Sequence, residues 1–405
     1  MENKLNRSSY ITSNSNKRIS SNNIYELAIF LYIFSILFFN EGNTFINVFR
    51  IILIAIFICY IILSKKLPLL GYGRWALIFI LYSFLSANWA YSKDVAIQFS
   101  KTLIYVFVCN YAILVYLKKS GWNGILFLFK SIFWCCVITS TIFFSNNLGA
   151  ILAGSRLGGQ TNGYGMCCAF AALIGFYLIK YHYVIPSDKW LWLLGFLFAI
   201  VFILLSGSRK ALLYFLIPIS FFLIFRSKGI AKTLRNFIVV IVLIFIVYLA
   251  IMKVPILYES IGRRVATLLN FINGRETDSS TATRAVLVSD GIEMFRRKPW
   301  IGYGLGNFST VHSLNSTIKY YAHNNYIELL VDVGIIGTLM YYSLNISTII
   351  RGLRKIKYKD PLLLLLFGYL IGALICEYGN VTYYATFDQL LYAIVWYVFR
   401  YYRSN

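Results

Sequence analysis

Apolar stretches long enough to cross a lipid bilayer follow one another almost without pause through this chain, and lipid leaves the backbone few options. A free N–H or C=O finds no partner in hydrocarbon, so spanning segments must satisfy their own hydrogen bonds, and runs of this length do so as helices. A crossing of ~30 Å takes about 20 helical residues. Twelve runs qualify, at approximately 24–40, 45–63, 74–90, 102–117, 125–145, 161–179, 189–206, 210–225, 236–252, 326–350, 361–379 and 384–400. The expected fold class is therefore an all-α polytopic membrane protein of about 12 transmembrane helices. Composition agrees, because 13% charged residues is half the roughly 25% of a soluble chain.

The runs divide the chain into a Ser/Asn-rich tail at 1–23, membrane helices 1–9 over 24–252, a large loop at 253–325, membrane helices 10–12 over 326–400, and a short tail at 401–405. The first tail carries Lys4, Arg7, Lys17 and Arg18, and no small-residue cleavage site follows the first apolar run. It reads as a disordered cytoplasmic segment before an uncleaved span. The net charge of +23 would suggest nucleic acid in a soluble protein, but here the positive-inside rule accounts for it and no nucleic-acid partner is expected. Alternate loops hold Lys65, Lys66 and Arg74; Lys118 and Lys119; Lys180 and Lys189; Arg226, Lys228, Lys232 and Arg235; and Arg351, Arg354, Lys355, Lys357 and Lys359. That side, with both termini, is cytoplasmic. The opposite loops, such as Glu41-Gly42-Asn43, Asn146-Asn147 and Glu377-Tyr378-Gly379-Asn380, lack Lys and Arg, and the 253–325 loop falls with them outside. Cys59, Cys109, Cys135, Cys136, Cys167, Cys168 and Cys376 sit in or beside apolar runs without a CxxC pair, which is the pattern of packing rather than of disulfides or metal.

Topology does not require the arginines that this arrangement places outside: Arg156, Arg209, Arg263, Arg264 and Arg284. Together they point to an anionic ligand at the outer face. Arg209 sits in the tight turn Ser206-Gly207-Ser208-Arg209-Lys210 between two spans, at headgroup depth. Arg156 ends the Gly154-Ser155-Arg156 stretch before a span that opens with small and polar residues. Within the outer loop, residues 280–298 show a helical period in Val288, Ile292 and Phe295, with Ser279 to Thr281 as N-cap candidates and Pro299 as the stop. Arg284 belongs to that apolar face and should point toward the protein, against a phosphate or an internal carboxylate. Gly302, Gly304 and Gly306 alternate, but no strand precedes them and no Gly-Lys-Ser/Thr follows, so they suit a turn or a close approach to sugar rather than a nucleotide site. Of three histidines, His182 falls in a cytoplasmic loop and His312 in a Ser/Asn/Thr-rich piece. His323 stands where the loop re-enters the membrane, and Asn324, Glu328 and Asp332 follow on one helical face. Two acids one turn apart in an apolar helix are costly unless paired or functional.

Several of these motifs resemble the O-antigen ligase and polymerase superfamily of bacterial membrane glycosyltransferases. The likeness rests on Ser-Gly-Ser-Arg at 206–209, on Arg284 ahead of Lys298-Pro299-Trp300-Ile301-Gly302-Tyr303-Gly304-Leu305-Gly306-Asn307-Phe308, and on Ala322-His323-Asn324-Asn325-Tyr326-Ile327-Glu328 followed by Gly334-Ile335-Ile336-Gly337. It covers roughly 150–340. The resemblance implies a helical GT-C-type arrangement and transfer of a glycan from undecaprenyl diphosphate to an acceptor, at the outer face of the bacterial cytoplasmic (inner) membrane. It implies Arg209, Arg284 and His323 as catalytic residues, and Arg156 less directly as a substrate contact. The chain departs from some ligases in having one histidine in the His323-Asn324 motif, which favours the polymerase branch.

Chemistry fits that role. A lipid diphosphate is a good leaving group that needs its charge stabilised, and arginine supplies paired donors to phosphate oxygens. His323 is the best-tuned base for the acceptor hydroxyl, with Glu328 as its substitute or orienter. Arg156, Asn324, Glu328 and Arg264 are the expected substrate contacts. No cofactor is required, and neither an Asp-x-Asp pair nor a cluster with metal-ligand spacing stands in the outer loop, so the expected enzyme is a metal-independent inverting glycosyltransferase. Its partners would be the lipid-linked oligosaccharide, a polysaccharide or lipid A-core acceptor, membrane lipid and a chain-length regulator protein. The alternatives are an O-antigen ligase and, from another class, a flippase for the same lipid-linked oligosaccharide, which should show ionisable residues or broken helices near the midplane.

Overall fold

The computed structural model describes residues 21–37, 44–64, 71–152, 160–272, 279–314 and 320–402. The tail at 1–20, Glu41-Gly42-Asn43, Arg156 and the Gly274-to-Asp278 stretch lie outside the described residues. Among the described residues every regular element is helical. The principal helices are α1 (Ser21–Leu37), α2 (Thr44–Leu63), α3 (Gly71–Leu85), α4 (Lys93–Asn146), α5 (Gln160–Lys180), α6 (Lys189–Leu205), α7 (Arg209–Arg226), α8 (Ile230–Lys253), α9 (Arg263–Ile272), α10 (Ser279–Arg297), α11 (Asn325–Lys355), α12 (Pro361–Cys376) and α13 (Thr386–Tyr401).

Every expected apolar run falls on one of these helices, but length and hydropathy together qualify six of them as membrane crossings among the described residues: Lys93–Asn146, Thr161–Lys180, Pro186–Leu205, Ile230–Lys253, Asn325–Tyr358 and Pro361–Gly379. Three of the differences from twelve have physical reasons. The runs at 102–117 and 125–145 are two arms of α4, which turns at Gly121 (φ 57°, ψ −132°). Helix α13 has only 16 residues, a few ångströms short of a full crossing at 1.5 Å per residue, and α1, α2 and α3 each adjoin residues outside the described ones. Helix α7 has 18 residues but includes Arg209, Lys210 and Arg226.

The interior is built by the second arm of α4 with α5, α12 and α13, whose side chains are buried on nearly every side. Small residues set the closest approaches: a side chain at Gly368 of α12 would press on the backbone of Pro218 in α7. Helix α8 is the opposite case, exposing Phe237, Ile238, Ile241 and Phe245, as suits a lipid-facing helix. Six of the seven cysteines are buried and all are free.

One interruption positions the site. Helix α11 breaks at Gly334 (φ 65°, ψ −172°), and the polar groups freed there are taken by the glycine-rich segment. Ile335 N–H donates to Pro299 O at 2.9 Å, Ile336 N–H to Trp300 O at 3.3 Å, and Tyr303 N–H to Val331 O at 2.9 Å. Tyr82 of α3 donates to Val333 O at 3.0 Å. The carboxylate of Asp332 accepts from Gly306 N–H at 2.8 Å and Phe308 N–H at 2.7 Å. Gly302, Gly304 and Gly306 all have positive φ, and a Cβ on Gly304 or Gly306 would collide with Ala90 or Phe99. The alternating glycines thus let this segment lie flat on residues 86–92, α4 and α11, the arrangement of a turn rather than of a sugar contact.

Candidate active site

Helix α10 forms over Ser279–Arg297, as the period and Pro299 predict, but its buried stripe is displaced by one residue. Leu287, Gly291 and Met294 pack inward while Ile292 is exposed. Gly291 sits so close to Ile327 that no side chain fits there, and apolar periodicity does not register a glycine. Arg284 continues this displaced stripe at the N-terminal end of α10 and reaches a cavity of about 650 Å³.

That cavity collects cations from three separate elements: Arg50 of α2, Lys210 of α7 and Arg284 of α10. Among the described residues Asp388 of α13 is the one carboxylate in its lining, and Tyr320, Tyr321, Tyr384, Asn162 and His323 are among its other polar groups. Ile36, Met166 and Phe387 make it partly apolar. Counting His323 as neutral, three cations against one acid leave an excess of two positive charges among the described residues, the magnitude carried with opposite sign by a diphosphate diester.

His323 is held by its neighbours rather than by its own ring. Its backbone is left-handed (φ 51°). Before it, Ala322 N–H donates to Glu328 Oε2 at 2.9 Å. After it, the Asn324 side chain caps α11 by accepting from Tyr326 N–H and Ile327 N–H at 3.0 and 3.2 Å. Asn325 ties the same turn to the 377–385 segment: its N–H donates to Asn380 O at 3.1 Å, and its Oδ1 accepts from Thr382 N–H and Tyr383 N–H at 2.9 and 3.1 Å. With the main chain fixed on both sides, the imidazole packs on the Tyr321 ring, centroids 3.8 Å apart, and faces the cavity. Burial first, then Arg284 and Lys210, lower its pKa from 6.5 to about 4, so it is neutral near pH 7 and able to accept a proton.

The expected site residues therefore separate into three groups. His323 and Arg284 meet in the cavity. Asn324 and Glu328 lie behind His323, buried, and hold its backbone. Arg209 and Arg264 clamp a neighbouring turn: Arg264 Nη1 donates to Gly207 O at 2.7 Å and Arg209 Nη1 to Arg264 O at 3.1 Å. Neither lines the cavity; the next residue, Lys210, does, with its Nζ on Gly379 O at 2.8 Å. Arg50, Lys210 and Asp388 are cavity residues that sequence reasoning passed over. Arg50 and Asp388 lie inside apolar runs where an ionisable group is itself the signal, and Lys210 stands beside the more conspicuous Arg209. His312 has an acidic neighbour, Asp290 Oδ2 at 3.3 Å from its Nε2, away from this cavity. Among the described residues no three His, Cys, Asp or Glu side chains gather as metal ligands.

Residues 194–342 match the family model described as O-antigen ligase, in keeping with the O-antigen ligase and polymerase superfamily. The matched region runs from α6 into α11 and holds Arg209, Lys210, Arg284, the glycine-rich segment and His323, while Arg50 and Asp388 fall outside it. No curated protein matches the chain. The chain is thus similar to O-antigen ligases over this region.

Proposed function

We propose that the protein transfers an undecaprenyl-diphosphate-linked glycan to an acceptor hydroxyl at the outer face of the cytoplasmic membrane, as a polymerase of O-antigen or capsule type. The observation that carries this reading is the cavity in which a neutral histidine faces three cations. The acceptor hydroxyl gives its proton to His323 while its oxygen attacks the anomeric carbon of the donor. The bond from that carbon to the phosphate oxygen breaks, and its electron pair leaves with the diphosphate. Attack opposite the leaving group inverts the anomeric centre. Arg284 and Lys210 neutralise the charge that grows on the diphosphate, with Arg50 as a third cation. Binding of that anion offsets the two cations that depress His323, so its basicity rises when donor is present.

Asn324 and Glu328 serve as positioning residues for His323, and Arg209 with Arg264 as positioning residues for the turn that presents Lys210. The excess positive charge also disfavours a divalent metal, which supports metal-independent transfer. Both termini and the basic loops belong on the cytoplasmic side, with twelve segments crossing or entering the membrane in a GT-C-type arrangement. Against a flippase, the break in α11 has its freed groups bonded to 299–303 instead of lining a midplane path.

Purified protein in vesicles, given the lipid-linked repeat unit with EDTA present, tests the branch. Products that lengthen by whole repeat units support the polymerase. Transfer only when lipid A-core is added, with no lengthening, would assign the ligase instead, and no transfer to either acceptor would overturn the reading.

A further inference from the structure

At the end of the bundle opposite His323, three arginines from three helices converge. Arg74 near the start of α3, Arg351 near the end of α11 and Arg400 near the end of α13 line one cavity of about 170 Å³, with Trp75 and Trp396 as its walls. Helix α11 begins beside His323, and α13 begins beside Asp388, so Arg400 lies about 18 Å from Asp388 along a helix rising 1.5 Å per residue.

No carboxylate lines this cavity, and none forms an ion pair with the three guanidiniums among the described residues. Asp360, at the same end, is engaged as the cap of α12, accepting from Leu362 N–H and Leu363 N–H at 2.9 and 3.1 Å. Arg351 Nη1 is buried without a hydrogen-bond partner. Topology asks only for basic residues on one side of the membrane, a demand that exposed Arg354 meets equally well. It does not ask for three guanidiniums around one hollow with a donor left buried, an arrangement that costs free energy until an anion arrives.

A second cavity of about 380 Å³ shares Gly71, Arg74, Trp75 and Ser343 with the first and extends to Ile78 and Met340. The pair form a groove that is cationic at the end of the bundle and apolar inward. From Arg351 to Met340 it covers about 16 Å of helix, roughly one leaflet of a ~30 Å hydrocarbon core. Trp75 seals its floor by donating from Nε1 to Met340 O at 2.9 Å. A soluble anion would use the arginines alone; the apolar continuation suits an acyl chain.

We propose that this groove binds an anionic membrane phospholipid, its phosphodiester among Arg74, Arg351 and Arg400 and an acyl chain along Ile78 and Met340. The site is independent of the transfer reaction. The full-length protein, stripped of lipid and then incubated with vesicles of phosphatidylglycerol and phosphatidylcholine in equal parts, is read by native mass spectrometry for retained lipid. The parent should retain phosphatidylglycerol in preference. Arg74→Gln, Arg351→Gln and Arg400→Gln should each weaken retention by ~5-fold, and Arg354→Gln should leave it unchanged. Ile78→Trp, which fills the groove with all three arginines intact, should also weaken retention and covers the case in which an arginine variant does not fold. Equal retention of both lipids, full retention by Ile78→Trp, or displacement by millimolar inorganic phosphate would overturn the proposal.

Discussion

Two segments flank the start of α11 and are built in opposite ways. In 298–308 the glycines, the tryptophan and the aromatic residues draw the eye, yet the segment is bonded to the helix break and to Asp332. In 320–323 the chain is short and plain, fixed at Ala322 by Glu328 and just beyond its end by the Asn324 cap. Only its side chains are left to face the cavity. Asp332 and Glu328, one turn apart on α11, thus each hold one segment. The conspicuous motif is scaffold, and the residues that face the cavity stand on the plainer segment.

Substitutions on the two sides should fail differently. The largest effect belongs to His323→Ala, which should lower turnover by ~10²–10⁴-fold with thermal stability in detergent unchanged. On the scaffold side, Gly334→Ala combines a strained φ with a collision against the Trp300 backbone and should cost about 1–3 kcal/mol. Thermal unfolding should shift, and activity should fall only as folded protein is lost. Next, Asn324→Ala removes the cap of α11 and should cost ~1 kcal/mol; as this cap also fixes His323, turnover should fall while KM changes little.

Smaller effects sharpen the division of roles. His323 titrates at about 4 because of burial, then Arg284, then Lys210. The acid limb of kcat/KM, which reports the free enzyme, should therefore lie near that value and leave the profile flat around neutrality. Folded His323 resists protonation, so as pH falls from the unfolded pKa of about 6.5 toward 4 the unfolded state gains a proton that the folded state does not, and stability drops over that window. In Arg284→Gln the pKa of His323 should move up toward 6.5, measurable by NMR of isotope-labelled histidine. The smallest change is expected for Glu328→Gln, which keeps an oxygen to accept from Ala322 N–H and should retain activity within a few-fold. A loss as large as that of His323→Ala would make Glu328 part of the chemistry.

Local pattern carried much of this in the sequence. Apolar length located the helices, and Pro299 with the 3.6-residue period located α10. Arg284 and His323 were both legible, the first as a cation on a buried face and the second as a histidine at a membrane boundary. What escaped depends on pairing across the fold. The purpose of Gly304 lies in Ala90, and that of Asp332 in Gly306 and Phe308, distances in sequence that no window spans. Helix α11 reads as one run because Gly334 is a single residue whose partners come from 299–303. Arg50 and Asp388 were absorbed into apolar stretches counted for their length, though a charge in such a stretch is what needs explaining.

In the proposed mechanism His323, beside Arg284 and Lys210, takes the acceptor's proton as the diphosphate leaves. Acceptor-dependent release of undecaprenyl diphosphate, followed in EDTA with purified protein in vesicles, tests it most directly. The parent should release it, and folded His323→Ala should do so at a rate at least ~10²-fold lower. Equal release by the two proteins, or a parent silenced by EDTA, would contradict it.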